Sequence, residues 1–123
     1  MPGTSRGAWH LMQHIEKPWG FEKIWAKTEH YVGKILFIKK GNRLSYQFHK
    51  QKEETLLVLE GLLEIEFEKN GERLKVQLKP GETFHNPPLQ KHRFIAVEDC
   101  KLIEVSTPHL TDVVRLEDDY KRV

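Results

Sequence analysis

Hydrophobic and polar residues alternate along much of this chain, so that within a segment every second side chain tends to be apolar. The runs LEIEFE and RLKVQL show the alternation most clearly, and a period of two is typical of a β-strand with one buried face. No long segment has the period of an amphipathic helix. The pattern predicts strands near residues 21–26, 33–39, 44–49, 55–59, 62–68, 72–78, 82–86, 92–97 and 101–106.

Turn signals separate the predicted strands. Asn70-Gly71 lies between the two clearest runs and suits the positive φ angles of a tight hairpin, so those two strands should pair antiparallel. Residues 79–82, Lys-Pro-Gly-Glu, form a second predicted turn. Many short strands joined in this way predict an all-β sandwich or closed barrel. We expect residues 1–16 to be an irregular N-terminal arm, residues 17–123 to be one domain, and residues 113–123 to be a strand that runs into a short helix.

Composition and charge exclude several classes of protein. A chain of 123 residues suits one domain, and a hydrophobic fraction of 38% with 31% charged residues is that of a soluble globular protein. No apolar run approaches the roughly 20 residues that span a bilayer, and the first residues do not resemble a signal peptide, so we expect a cytoplasmic protein. The net charge of +2 is spread along the chain, which makes nucleic acid an unexpected partner. The single cysteine, Cys100, is expected to be a small buried side chain.

Four polar residues predict a metal site. In the strand LSYQFH, Gln47 and His49 lie on the same face. Glu54 begins the next strand, which we expect to return antiparallel beside the first, while the intervening loop 50–53 should be solvated. His92 opens the strand HRFIAV, and closure of a barrel can bring it to the others. Two imidazoles, a carboxylate and an amide suit one divalent ion such as zinc, manganese, iron, cobalt or nickel, although polar side chains on a solvent-facing strand pair are the alternative.

The spacing of these residues resembles the two cupin motifs. The first motif is matched by Gly41, Gln47, His49, Glu54 and Gly61. Gln47 stands where many cupins have histidine. The second motif is matched in part, by Gly81, Pro87 and His92. Leu89 and Ala96 stand where that motif usually has glycine and asparagine. The resemblance implies a small cupin barrel, a double-stranded β-helix of the jelly-roll type, with the four predicted metal ligands in place.

More narrowly, the chain resembles the cupin domain of type II mannose-6-phosphate isomerases, which is fused to a GDP-mannose pyrophosphorylase in bifunctional enzymes. The resemblance runs from residue 17 to the end, through the segments 17–20, 41–49, 87–92 and 114–120. It implies a metal-dependent isomerase of carbohydrate metabolism that interconverts mannose 6-phosphate and fructose 6-phosphate. The nucleotide-transferring domain does not occur in this sequence, so pyrophosphorylase activity is not expected of it.

This reaction implies further site residues. A proton moves between C1 and C2 of the sugar, so a base must lie within reach of those carbons; the candidates are His85, and Glu54 if it binds the metal weakly. The substrate phosphate needs guanidinium or ammonium groups. Arg43, Arg93 and Arg115 are the predicted phosphate ligands, and Arg43 is also counted among the catalytic residues.

Two other functions fit the same residues. His49, Glu54 and His92 form the two-histidine, one-carboxylate set that binds ferrous iron in oxygenases. A cupin barrel can also bind a sugar without catalysis, because one fold supports many functions. In either case, pairing of exposed sheet edges leads us to expect a homodimer.

Overall fold

The computed structural model describes residues 12–122 of the chain. These residues form eleven β-strands and no helix, so they include no helix that is long and apolar enough to cross a membrane. The strands are β1 (Gln13–Lys17), β2 (Gly20–Lys27), β3 (Val32–Ile38), β4 (Tyr46–Phe48), β5 (Glu54–Glu60), β6 (Leu63–Lys69), β7 (Glu72–Leu78), β8 (Thr83–Asn86), β9 (His92–Ala96), β10 (Cys100–Ser106) and β11 (Val114–Glu117).

The strands form two antiparallel sheets. The six-stranded sheet has the order β1-β2-β3-β10-β5-β8, and the five-stranded sheet has the order β11-β4-β9-β6-β7. Leu36, Leu56 and Leu102 of the first sheet belong to the same buried cluster as Ile65 and Phe94 of the second. The hydrophobic core therefore lies between the sheets, as the alternating pattern requires, and the predicted all-β class is confirmed.

Both predicted turns are confirmed. β6 and β7 form a hairpin in which Lys69 is opposite Glu72, and the two residues between them, Asn70 and Gly71, have φ angles of 53° and 79°. These positive values match a turn that follows the twist of the strands. In the second turn, the backbone N–H of Glu82 donates to the carbonyl oxygen of Lys79 over 3.0 Å.

The N-terminal prediction is wrong where the structure tests it. Residues 13–16 are not irregular, because β1 pairs along its whole length with β2. Most β1 side chains are exposed, and an edge strand held by backbone hydrogen bonds needs no strong hydrophobic alternation. The remainder of the predicted arm, residues 1–11, lies outside the described residues.

The predicted terminal helix is also wrong. The strand β11 ends at Glu117, and a turn follows in which the Asp118 carboxylate accepts hydrogen bonds from the backbone N–H groups of Tyr120 and Arg122. Lys121 has a φ angle of 55°, which is incompatible with a right-handed helix. A local side-chain-to-backbone turn therefore replaces the helix.

The connection between β4 and β5 differs from the prediction as well. Glu54 does not return beside the strand of His49: β4 lies in the five-stranded sheet and β5 lies in the six-stranded sheet. The Asp112 carboxylate holds the crossing loop by accepting hydrogen bonds from the backbone N–H groups of Lys50, Gln51 and Lys52. The crossing places the ligand residues of both sheets around the barrel interior.

Candidate metal centre

Three of the four predicted ligands form one buried cluster. His49, Glu54 and His92 each offer a donor atom, and these atoms lie within 4.8 Å of one another. Glu54 Oε2 is 3.2 Å from His92 Nε2 and 3.6 Å from His49 Nε2. All three side chains are buried. The cluster could hold a metal ion.

The tautomers of both histidines favour a cation between them. His49 Nδ1 is 2.6 Å from the carbonyl oxygen of Asp112, and His92 Nδ1 is 2.9 Å from that of Gln90. A carbonyl oxygen can only accept, so each Nδ1 carries a hydrogen and Nε2 is the ring nitrogen that faces Glu54. His49 Nε2 is buried and has no hydrogen-bond partner among the described residues. Two Nε2 atoms and a carboxylate therefore converge, and a divalent cation bound between them would satisfy all three.

Gln47 lies beside the cluster. Its register partner in β9 is His92, and its side chain lines the same cavity as His49 and Glu54. The Ser45 hydroxyl donates a hydrogen bond of 2.5 Å to Gln47 Oε1, which orients the amide. The structure thus brings all four predicted ligands to one place.

Asn86 is a site residue that sequence reasoning missed. It lies opposite Glu54 in the β5–β8 register and is 1% exposed. Its Nδ2 donates to Glu54 Oε2 over 3.2 Å and lies 3.0 Å from His92 Nδ1. Asn86 therefore orients the Glu54 carboxylate and contacts the His92 ring. The alternation in the sequence places Asn86 on the same strand face as Phe84. Its contact with Glu54 becomes visible only once the pairing of β8 with β5 is known.

The cluster lies at a cavity of about 100 Å³ whose wall is highly charged. Lys17 and Lys34 line it with Glu22, which bridges them at 3.4 Å and 3.0 Å. Lys52 and Glu104 complete this charged wall. A polar cavity of this kind suits a hydrophilic substrate more than an apolar one.

Lys52 joins two buried carboxylates. Its ammonium nitrogen is 3.0 Å from Glu54 Oε1 and 3.3 Å from Glu104 Oε2. Burial disfavours the charged ammonium, but the two carboxylates outweigh that effect and raise the pKa of Lys52. The predicted solvated loop is thus wrong at Lys52, which is 7% exposed, because its side chain turns inward to these carboxylates.

The two carboxylates differ in charge preference. Burial opposes ionisation of Glu54, but its contacts with His49 and His92 and the nearby Lys52 hold its pKa well below the usual range. Burial and the charge of Glu54 instead raise the pKa of Glu104 above the usual range. Glu54 is therefore suited to bind a cation, whereas Glu104 has the higher proton affinity.

The structure does not bring His85 to the cluster. Its side chain is 53% exposed, and its Nε2 is 2.6 Å from Glu53 Oε2 on the outside of the barrel. Asn86 points inward, so the adjacent His85 points outward, as strand geometry requires. We therefore do not propose His85 as the base.

Arg43 and Arg93 also lie away from the cavity. The guanidinium of Arg43 donates two hydrogen bonds to Asp119, at 2.7 and 2.9 Å. Arg93 is 2% exposed and donates to the carbonyl oxygens of Leu44 and Glu117. Both arginines attach the C-terminal segment to the barrel, so the structure supports neither as a phosphate ligand.

Arg115 is the predicted arginine that reaches the cavity. It lies opposite Gln47 in the β4–β11 register, so the two side chains share a face, and both line the cavity. Arg115 Nε is buried without a hydrogen-bond partner among the described residues. An unpaired guanidinium nitrogen beside the candidate metal centre is suited to an anionic group.

Comparison with known proteins shows the family of this chain. Residues 4–118 match the family described as "Mannose-6-phosphate isomerase C-terminal". The chain belongs to this family. No curated protein sequence matches it significantly. Membership confirms the resemblance that the motifs predicted.

Solved structures confirm the cupin fold of this family member. KdgF from Halomonas sp. is 25% identical, with 84% of this chain and 90% of KdgF covered and a TM-score of 0.68. The capsular polysaccharide assembling protein CapF from Staphylococcus aureus is 19% identical, with 95% of this chain and 35% of CapF covered and a TM-score of 0.75. Oxalate decarboxylase from Bacillus subtilis is 13% identical, with 88% of this chain and 31% of the decarboxylase covered and a TM-score of 0.77. The chain spans about a third of the length of the last two.

Proposed function

We propose that this chain is a metal-dependent aldose–ketose isomerase that interconverts mannose 6-phosphate and fructose 6-phosphate. The observation that carries the proposal is the pair of histidine Nε2 atoms that converge on Glu54 beside a charged cavity. Family membership supports the choice of reaction. CapF, a structural relative, is named as a capsular polysaccharide assembling protein, which is in keeping with a role in carbohydrate metabolism.

Gln47, His49, Glu54 and His92 are the proposed ligands of one divalent ion, which is zinc, manganese, cobalt, nickel or iron. When bound, such an ion supplies a Lewis acid that polarises the carbonyl and hydroxyl oxygens of the sugar. The chain's own residues orient this centre: the carbonyl groups of Asp112 and Gln90 fix the imidazole rings, and Asn86 fixes the carboxylate. Fixed ligands keep the charge stabilisation available without rearrangement during the reaction.

Arg115 is the proposed contact for the substrate phosphate. Its buried Nε has no partner among residues 12–122, whereas Arg122, which also lines the cavity, already pairs with Asp118 at 3.0 Å. A phosphate offers several acceptor oxygens to a guanidinium. Arg115 therefore selects for phosphorylated sugars over neutral ones.

The first experiment is a coupled assay of fructose 6-phosphate formation from mannose 6-phosphate. Protein is reconstituted separately with each of the five metals, and His49→Ala is compared with the matched control His85→Ala, whose side chain is exposed and outside the cavity. We expect turnover that depends on metal, disappears in His49→Ala and persists in His85→Ala. Metal-loaded wild-type protein without turnover would overturn the isomerase function. In that case, a melting temperature raised by sugar would indicate a binding module. Oxygen uptake by the iron-loaded protein would instead indicate an oxygenase.

Homodimer formation and a cytoplasmic location remain predictions. The sheet edges at β8 and β7 are available for pairing with a second copy, as edge strands in small barrels often are. Light scattering coupled to size-exclusion chromatography distinguishes monomer from dimer. A monomer across the micromolar range contradicts the dimer.

A further inference from the structure

We propose that Glu104 is the base that moves the proton between C2 and C1 of the sugar, an inference that rests on the isomerase function proposed above. Glu104 lies in β10, opposite Lys34 of β3 and Leu56 of β5. Its side chain lines the same cavity as His49 and Glu54 and is 4% exposed. A carboxylate in this position shares a compartment with the candidate metal centre.

One oxygen of Glu104 makes an ion pair but no hydrogen bond. Glu104 Oε2 is buried and accepts no hydrogen bond from the described residues; Lys52 Nζ, at 3.3 Å, is its ion-pair partner without the geometry of a hydrogen bond. A buried carboxylate oxygen without a hydrogen bond is costly. A substrate C–H or O–H group placed in the cavity gives that oxygen a function.

The other carboxylates on the cavity wall are already engaged. Glu22 bridges Lys17 and Lys34, and Asp112 accepts three backbone hydrogen bonds. Glu54 faces both histidines. Among the cavity carboxylates that the structure describes, Glu104 is therefore the one whose buried oxygen has a single cationic neighbour and no hydrogen bond.

Lys52 links Glu104 to the candidate metal centre. Its ammonium lies between Glu54 and Glu104, so it neutralises part of the charge of both carboxylates. Through this contact, Glu104 is held at a fixed place beside the ligand set on the cavity wall. A base must be positioned in this way before its proton affinity matters.

The proposed step balances without a further reactant. Glu104 takes the C2 proton of the open-chain aldose, the C–H electron pair forms a C1=C2 double bond, and the C1=O π pair moves to O1. The O2 hydroxyl proton passes to O1. The O2 electron pair then forms C2=O, the C1=C2 pair takes the proton back from Glu104 to form a C1–H bond, and the carboxylate is regenerated.

The test compares Glu104→Gln with Glu66→Gln, a control that removes a buried, ion-paired carboxylate outside the cavity. We expect Glu104→Gln to lower kcat by at least about 100-fold, the usual contribution of a positioned base, with KM and bound metal within about threefold of wild type. Deuterium incorporation from D2O at C2 of mannose 6-phosphate, followed by NMR, should fall by the same factor. Glu66→Gln should retain both activities.

A second variant separates catalysis from structure. Glu104→Asp keeps a negative charge for Lys52 but withdraws the carboxylate by one methylene. A catalytic role predicts wild-type thermal stability with kcat lowered about tenfold or more, because misplacement of a reacting group is costly; a structural role predicts wild-type kcat. If the wild-type protein is active and the kcat of Glu104→Gln is within about threefold of the wild-type kcat, only the role of Glu104 is overturned. If the wild-type protein is inactive, both the isomerase function and the base are overturned.

Discussion

At the scale of single residues, the histidines differ in what holds their ring nitrogens. Backbone carbonyls hold Nδ1 of His49 and of His92, so Nε2 is free to bind a cation. In His85, Nε2 instead contacts the exposed carboxylate of Glu53. Three histidines lie within predicted strands, and only their hydrogen-bond partners distinguish candidate ligands from a surface residue.

Replacing Asn86 tests the support around these ligands. Asn86→Ala removes the amide that contacts Glu54 and His92, and loss of such an outer partner should weaken metal affinity by about 10- to 100-fold. Competition titration with a chromophoric chelator measures the affinity. The control is Gln77→Ala, which removes an exposed amide with one hydrogen bond of 3.4 Å; equal affinities in both variants would contradict the supporting role.

The candidate ligand cluster could be predicted because Gln47, His49 and Glu54 are close in sequence and the motif adds His92. Glu104 and Asn86 could not be singled out, since each looks like an ordinary strand residue until its partners are known. The alternation does hold a signal for Glu104: it shares a strand face with the fully buried Leu102. A carboxylate on a buried face indicates function or an ion pair.

Cys100 was predicted correctly: it is buried, and burial raises its pKa to about 11.

At the scale of elements, the loop between β4 and β5 depends on Asp112. Backbone hydrogen bonds from Gln51 and Lys50, with a further one from Lys52, lower the pKa of Asp112 to about 2, against an ordinary 3.8. The same residue's carbonyl oxygen accepts from His49. One residue thus fixes both the crossing loop and a ligand.

Asp112→Asn should lower the melting temperature and weaken metal binding, because the amide offers one acceptor oxygen in place of two. A carboxylate whose folded pKa is depressed stabilises the protein fully above its unfolded pKa, and this contribution is lost as pH falls toward the folded value. The difference in melting temperature between wild type and Asp112→Asn should therefore be largest above about pH 5 and should shrink between about pH 4 and pH 2. Thermal unfolding followed by circular dichroism measures it, and a difference that is constant with pH would refute the assignment.

The strands themselves were largely predictable, because alternation and turn residues are local signals. The predicted strand at 72–78 has the bounds of β7. The partners of each strand were not predictable: β3 pairs with β10, which follows it at long range, and nothing local indicates that β4 and β5 separate into different sheets. Pairing follows from the packing of the whole core, so it appears only at a larger scale.

At the scale of the whole molecule, the cluster joins the two sheets. Glu54 belongs to the six-stranded sheet, whereas His92 belongs to the five-stranded sheet and His49 directly follows its strand β4. A metal bound there would cross-link the two sheets. Metal binding should therefore stabilise the entire barrel.

Metal should raise the melting temperature of the wild-type protein. At a free metal concentration 100 times Kd, mass action stabilises the folded state by about 2.7 kcal/mol, which corresponds to a shift of roughly 10 °C in a domain of this size. Differential scanning fluorimetry with and without chelator measures the shift, and His49→Ala should show none. A similar shift in His49→Ala would place the binding site elsewhere.

The pairing of β3 with β10 and the contribution of β9 to the ligand set also fix an order of events during synthesis. A chain emerging from the ribosome exposes Gln47, His49 and Glu54 well before His92, and the six-stranded sheet has no partner for β3 on that side until β10 follows. A nascent chain that ends before His92 would therefore hold an ion only with an incomplete ligand set. The complete candidate ligand set exists only after translation of β9, and the sheet that carries Glu54 is complete only after translation of β10.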